Sequence, residues 1–425
     1  MKIAIIGSGI SGLSSALLLS QKHDITLFES NNRYGGHANT IDISVDKKTV
    51  PVDTGFIVYN ELNYPNLVGL FKWLKVRTVS SDMSFGVSAR NGELEYSGSL
   101  KGLFAQKKNY FNLSFYRILK DIFIFFKFGY KYAHSNPGNE SLKEYIIRCK
   151  FSDEFVNDHL IPMSSAIWSC PDEQILNFPA KNLLTFFKNH QLLNFYKRPK
   201  WRTVKNGSII YVNKIVDLLK SKKNNKLLLN IKIKSIISKN NKIIITDQKN
   251  KIYNFDKVVM ASHPDQSLKI LKNIKKETSD LLNKFQYQNN IVFLHSDNSL
   301  MPLNKNVWSS WNYLSNKDNK TKSSVTYWMN ILQELKTKKE IFVSLNPYKN
   351  PKKSLIYQKI NYMHPIFNNK TSEAQKNIFS IQGNNNIYFC GAWTGYGFHE
   401  DGIKSAVSIA KLMNIQIPWE TIDSK

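Results

Sequence analysis

Gly7, Gly9 and Gly12 stand at the spacing G-x-G-x-x-G, directly after the apolar run Lys2-Ile-Ala-Ile-Ile6 and before an apolar stretch opening at Leu13. Strand, glycine turn and helix in that order form a seat for a pyrophosphate. Gly7 permits the tight turn, Gly9 lets the backbone approach the phosphates, and Gly12 lets the helix pack on the strand. Ile10 and Ser11 lie in the first helical turn, whose free N–H groups and positive dipole end favour an anion. A second apolar run, Ile25-Thr-Leu-Phe28, ends in Glu29, 17 residues after Gly12, where a carboxylate can accept from a ribose hydroxyl.

The following residues choose between nicotinamide and flavin. Glu29-Ser-Asn-Asn-Arg-Tyr-Gly-Gly-His37 passes from the acid through Ser30 and Arg33 into the pair Gly35-Gly36, then His37. Val52-Asp-Thr-Gly-Phe56 brings Thr54, Gly55 and Phe56 soon after. A nicotinamide dehydrogenase would continue into another helix and parallel strand. A glycine pair instead carries backbone N–H groups to a second part of a long cofactor. The pattern resembles the flavin-containing amine oxidase and phytoene desaturase superfamily, whose members carry E-x-x-x-x-x-G-G here, and it implies FAD.

Residues 387–406, IYFCGAWTGYGFHEDGIKSA, read as a strand, a glycine-rich loop and a helix starting near Asp401. They look like the superfamily's C-terminal flavin motif, with Gly391 and Ala392 at the strand end and Glu400 and Asp401 entering the helix. The resemblance puts the N–H groups of Gly402 and Ile403 at the pyrimidine edge, where a helix N-terminus stabilises the charge of reduced flavin. By the same resemblance Ile233 packs on the adenine, and the strand ending at Ala261 passes under the cofactor. His37 departs from the pattern, in which an Arg commonly follows the glycine pair. The set DTGFIV from Asp53, WSSWNY from Trp308, VTYWMN from Val325 and GAWTGYGFHEDG from Gly391 is similar to one bacterial branch. That branch comprises NAD/FAD-binding proteins often encoded beside cyclopropane-fatty-acid synthases.

Composition bounds the partners. Of 425 residues, 59 are Lys or Arg and 32 Asp or Glu, a formal net charge of +27. Residues 1–100 hold nine of each sign, so the excess lies beyond them. It invites anionic partners such as phospholipid headgroups or fatty acids; no nucleic-acid-binding module is present. Cys149, Cys170 and Cys390 are scattered without C-x-x-C, which argues against a redox dithiol, a structural zinc and a disulfide framework. No metal site is expected. Met1 runs straight into the first strand, leaving no room for a cleaved signal peptide, and no run of about 18 apolar residues exists. The expected location is cytoplasmic, with peripheral contact at the inner membrane face. That contact is expected from residues 111–132, FNLSFYRILKDIFIFFKFGYKY, which read either as an amphipathic helix with aromatics down and cations at headgroups or as a cover over the substrate domain. Oligomeric state is left open.

The expected fold is α/β: a discontinuous Rossmann-like FAD-binding domain of residues 1–75, 201–269 and 381–425, with an inserted α+β substrate domain of 76–200 and 270–380. Residues 227–233 and 242–246 read as short strands of a meander, and 76–200 as mainly helical. Runs at 290–295, 307–313, 325–331 and 341–345 read as an antiparallel sheet with one face towards the flavin. Trp311 with Tyr313, and Tyr327 with Met329, would share faces of it.

Hydride transfer to flavin needs the donor carbon over the ring at about 3–3.5 Å, in a dry, shaped site. Aromatic walls serve that end, and Trp311 and Tyr396 are candidates. His399 falls, counting back from Gly402, where amine oxidases place one wall of their aromatic cage. It either moves a proton in the chemistry or supports from behind by hydrogen bonding. No second G-x-G-x-x-G offers an NADPH site, so oxygen, a quinone or internal return of the hydride are the routes left. The leading expectation is an FAD-dependent oxidoreductase acting on an unsaturated or cyclopropane-type acyl chain. The alternatives are a flavin amine oxidase and a non-catalytic flavin- and lipid-binding partner of a lipid methyltransferase.

Overall fold

The computed structural model describes residues 1–136, 138–168, 172–194, 199–316 and 324–420. Its centre is a five-stranded sheet in the order Lys226–Leu228, Asp24–Phe28, Lys2–Ile6, Lys257–Met260, Ile387–Phe389, parallel throughout. Continuous apolar runs suit this position, because a parallel sheet is covered on both faces. On one face lie the helices Ile10–Leu19, Ile209–Lys220 and His399–Leu412, sharing a core with Ile3, Ile5, Leu27 and Val259. On the other, Ala4, Ile6 and Phe28 pack against the meander Ile233–Lys239, Lys242–Asp247 and Ile252–Phe255. Residues 227–233 are not one strand. Asn230 turns the chain at φ +58°, so Lys226–Leu228 joins the parallel sheet and Ile233 opens the meander.

The second sheet has seven strands in the order Ile356–Ile366, Gln286–His295, Phe342–Leu345, Ser324–Trp328, Trp311–Leu314, Phe85–Ala89, Leu94–Ser97. Its neighbours are antiparallel except Trp311–Leu314 with Phe85–Ala89. Three features differ from expectation. The strands Thr78–Ser81, Phe85–Ala89 and Leu94–Ser97 interrupt the region read as helical; Phe85–Ala89 is fixed by pairing with residues more than 200 positions later. Ile356–Ile366 is an edge strand, where polar residues and Pro365 are tolerated, so its apolar signal is weak. Ser324–Trp328 stops short, and Met329–Leu332 turns as a helix.

Helices Leu113–Ser135, Leu142–Cys149, Ile161–Trp168 and Ala180–Asn189 complete this half around Phe125, Tyr145, Phe155 and Phe187. Residues 317–323 and Cys170 lie outside the described residues.

Candidate flavin and substrate site

The glycine turn leaves the carboxyl end of Lys2–Ile6, the edge of a parallel sheet where ligands bind. The three glycines have three different reasons to be glycine. Gly7 sits at φ +101°, and a side chain there would come within 2.9 Å of the Ala261 carbonyl oxygen. At Gly12 a Cβ would collide with the carbonyl oxygen of Gly7, so the helix can close on the strand only without one. Gly9 has ordinary backbone angles (φ −65°, ψ −178°), and a Cβ there would meet nothing within 4 Å. Neither strain nor packing demands a glycine at that place. The space beside it belongs to a cavity, and a ligand seated on the helix N-terminus is the reason to keep it clear.

Glu29 is buried at the end of its strand. One carboxylate oxygen accepts from Ser8 N (3.0 Å) and Ser8 Oγ (2.6 Å), the other from Asn31 N and Nδ2 (both 2.9 Å) and Ser30 Oγ (3.3 Å). A carboxylate offers about four acceptor positions, so a ribose hydroxyl reaching Glu29 takes the place of a serine hydroxyl. Arg33 donates to the carbonyls of Gly36 (2.7 Å), Ala38 (3.3 Å) and Tyr34 (3.5 Å), stapling the loop through Gly35 and Gly36. Gly35 N bonds Ser8 O at 2.9 Å, and a Cβ on Gly36, at φ +58°, would lie 3.0 Å from the Gly9 Cα. The two glycine loops thus press against each other. Phe56 N donates to His37 O at 2.8 Å, and a Cβ on Gly55 would strike that same oxygen. Thr54 Oγ1 bonds Asn39 O (3.0 Å) and the Tyr362 hydroxyl (2.9 Å), joining this wall to the second sheet.

At the C-terminal motif the helix begins at His399, two residues before the expected start. Gly402 N is consumed by Phe398 O (3.1 Å), closing the first turn. Ile403 is fully buried in the core. A Cβ on Gly402 would lie 2.7 Å from Ile10 Cγ2 and 2.9 Å from Ser11 Oγ, so Gly402 lets the two helix N-termini converge. Glu400 turns away: its carboxylate accepts from Asn66 N, Asn66 Nδ2 and Leu67 N at 2.7–3.0 Å, capping the helix Pro65–Trp73. Asp401 accepts from Tyr396 N and Phe398 N (both 3.0 Å) and braces the loop before it. Gly12, Gly35, Glu400, Asp401, Gly402 and Ile403 therefore stand behind the wall and build it. Gly7, Gly9, Ile10, Ser11, Glu29, Ser30, Arg33, Gly36, His37, Thr54, Gly55, Phe56, Ile233, Ala261, Gly391 and Ala392 line the cavity itself, as do Trp311, Tyr396 and His399.

That cavity measures about 2520 Å³, well beyond the roughly 300–1,000 Å³ of a drug-sized site. It has room for a dinucleotide and a second molecule. From Ile233 and Glu29 it runs past the glycine turn to Phe56 and His399, then between the second sheet and the helices. Trp311 meets Tyr327 edge-on at 4.8 Å, and Tyr396 leans on Phe186 at 5.5 Å. Tyr313, expected beside Trp311, lies instead in the core with Val87 and Phe115, and Met329 packs with Val343 and Leu345.

Six histidines line the cavity, and burial holds five of them neutral: His37, His190 and His263 are pushed down to about 4, His364 and His399 to about 3. His37 stacks on Tyr362 (4.8 Å) beside His364 (5.3 Å), and His263 on Tyr287 (4.1 Å). His37 Nε2 and His263 Nδ1 are buried without a hydrogen-bond partner, two polar atoms for a ligand to satisfy. Sequence reasoning missed Tyr362, His364 and Tyr287 because their strands reach the site only through sheet pairing. His263 lies just past the strand Lys257–Met260, where no local pattern sets the direction of its side chain.

His399 lies parallel to Phe56, ring centroids 3.7 Å apart, and its Nε2 pairs with the Tyr211 hydroxyl at 2.9 Å. His399→Phe orphans that buried hydroxyl and is expected to cost about 1–3 kcal/mol, read as a lower urea midpoint. Adding Tyr211→Phe recovers most of the loss; an unchanged midpoint in the single variant would show the pair to be energetically idle. Asp53 is fully buried between Thr40 and Ser208, its carboxyl raised to about 6 by burial. Cys390 is buried 3.5 Å from Ser15 Oγ, its thiol raised to about 12, an inert packing residue. Among the described residues no cluster suited to a metal ion occurs.

The sequence model of the family described as "Flavin containing amine oxidoreductase" matches residues 10–358. A 4,4'-diapophytoene desaturase of Staphylococcus aureus is 50% identical over 42 residues, 10% of this chain and only 8% of the desaturase's length. Among solved structures, a CLA-producing fatty acid isomerase from P. acnes aligns over 97% of this chain and 98% of its own, with TM-score 0.67 and 13% identity. Cyclohexylamine oxidase from Brevibacterium oxydans aligns over 97% and 99%, with TM-score 0.67 and 13% identity. Putrescine oxidase bound to putrescine aligns over 97% and 99%, at 0.66 and 12%. At such identities these likenesses establish the shared fold.

Proposed function

The chain belongs to the flavin-containing amine oxidoreductase family and is an FAD-dependent oxidoreductase; on that premise we propose that the carbon yielding its hydride belongs to a long apolar acyl chain. Bound FAD supplies the hydride acceptor. The chain's own residues seat it: the turn at Gly7–Gly9, the converging helix N-termini at Ile10 and His399, and the loops of Gly36 and Thr54. Beyond them, Trp311 and Tyr327 on one side and Ile122, Phe126 and Ile167 on the other offer an apolar bed that excludes water.

The observation that carries this reading is where the charges lie. Among the described lining residues the carboxylates are Glu29, saturated by Ser8, Ser30 and Asn31 at the nucleotide end, and Asp82, exposed and bonded to Ser84 and Ser310. Neither is a free carboxylate buried in the apolar bed, and burial holds His190 and His399 there well below the usual imidazole range. A cationic amine finds no counter-charge. Lys200, Lys232, Lys269 and Lys359 line the cavity at exposed positions, where an acyl carboxylate or phosphate can pair while the tail lies inside. In this reading His399, held neutral and tied to Tyr211, fixes the wall beside the reacting carbon and is not the base.

The test is anaerobic addition of unsaturated and cyclopropane phospholipids or fatty acids, following the flavin absorbance. Bleaching supports dehydrogenation; an oxidised flavin with a moved double bond in the recovered lipid supports hydride-mediated isomerisation. Reduction by primary amines with neither lipid effect would overturn the proposal in favour of amine oxidation.

A further inference from the structure

Large apolar side chains are mostly hidden in this protein, and the exceptions are concentrated. Of the fourteen strongly exposed ones among the described residues, six fall between positions 100 and 123: Leu100, Tyr110, Phe111, Leu113, Tyr116 and Phe123. Leu100 is 85% exposed, Phe111 91% and Leu113 76%. They follow the short helix Leu100–Leu103, the turn Lys107–Phe111 and the first half of Leu113–Ser135. Leu303, 77% exposed, lies in the adjoining loop, which is tied to this segment by Asn304 Nδ2 donating to Ala105 O at 2.8 Å.

The segment's own charges are one-signed, and among the described residues only Arg117 of that set pairs with an acid, Glu154 at 2.8 Å. Residues 98–120 contain Lys101, Lys107, Lys108, Arg117 and Lys120 and no carboxylate. The next acid, Asp121, is buried against Ser152. Lys127 stands over the rings of Phe123 and Phe128 at 5.7 and 5.1 Å, apolar below and cationic above. Bulky apolar side chains mixed with cations, on a helix lying along the surface, make a face for an interface between hydrocarbon and anionic headgroups.

The inner side of the same elements completes the argument. Leu103, Leu119, Ile122 and Phe126 line the cavity from beneath, so these helices are its wall as well as the exposed patch. The lining reaches the surface at Gly98, Ser99 and Asn306, next to Leu100 and Lys305. We propose that residues 98–123, with Leu303 and Lys305, form a docking face for an anionic lipid bilayer, placing one mouth of the cavity at the membrane surface. No helix among the described residues is long and apolar enough to cross a membrane; the contact is monotopic. The proposal goes beyond the reaction proposed above, since docking is read without turnover.

The experiment is sedimentation of the flavin-loaded full chain with vesicles of phosphatidylcholine alone, or with about 30% phosphatidylglycerol. Binding to the anionic vesicles, loss on raising salt from about 0.05 to about 0.5 M, and little binding to the neutral vesicles is the expected pattern. The surface variant Phe111→Ser/Leu113→Ser should bind at least about tenfold more weakly, with an unchanged flavin spectrum showing that it is folded. Wild-type protein that ignores anionic vesicles overturns the proposal, as does a double variant that binds like wild type. So does a dimer in sedimentation equilibrium that the double variant splits while vesicle binding is absent; the face would then meet a second copy of the chain.

Discussion

Gly9→Val is expected to yield a folded, colourless protein. Gly9 has backbone angles that valine adopts, and its missing side chain points into open cavity. The substitution therefore leaves the fold alone and fills the seat beside the helix N-terminus. Two lost charge-assisted hydrogen bonds from backbone N–H groups, at roughly 1.5–3 kcal/mol each, weaken FAD by at least about 100-fold. The protein should purify with native circular dichroism and without the flavin absorbance, and Gly9→Ala should fall between. Gly12→Ala supplies the contrast: its methyl would strike the Gly7 carbonyl, so it should damage folding first. Normal yellow colour in Gly9→Val would remove the pyrophosphate from this turn.

Acid is expected to unfold the apoprotein well above the pH at which ordinary carboxylates titrate. Seven imidazoles are depressed by burial, six of them strongly: His23 is lowered, His37, His190, His263 and His295 fall to about 4, and His364 and His399 to about 3. Between about pH 4 and 6.5 the unfolded chain takes up protons at these positions and the folded chain does not, so stability is complete above 6.5 and drains away below it. Buried carboxyls oppose this. Asp53 and Asp401 are raised to about 6, and Asp158 and Glu400 are raised by burial too, so the folded state keeps protons there that the unfolded chain releases. The imidazoles win on number. A net uptake of about two protons corresponds to about 3 kcal/mol per pH unit, a large fraction of the roughly 5–15 kcal/mol that hold a protein folded. The apoprotein's Tm should fall by about 5–10 °C between pH 7 and 5, and His364→Gln should flatten the slope by about one proton. A Tm constant over that range would sink the argument.

Both results turn on features of different legibility. The turn at Gly7, Gly9 and Gly12, the acid at Glu29, the pair Gly35-Gly36 and the loop from Gly391 were readable because their chemistry is local. A left-handed φ, a missing Cβ or an unbroken apolar strand leaves its mark within a few residues. What those marks could not carry was direction. Glu400 sits two residues from Gly402, yet its carboxylate caps Asn66 and Leu67 more than 300 positions away. Tyr313 shares a strand with Trp311, yet one lies in the core and the other in the cavity.

The amino-acid order by itself determined a dinucleotide-binding α/β protein, since backbone geometry and hydrophobic period are properties of neighbouring residues, and its resemblance to a flavin family implied FAD. Only the tertiary structure decided the rest: Phe85–Ala89 entering a sheet with Trp311–Leu314, the strand carrying Tyr362 and His364 reaching His37, and burial neutralising the histidines. Sheet pairing and desolvation depend on residues hundreds of positions apart, and no local pattern records which of them will meet.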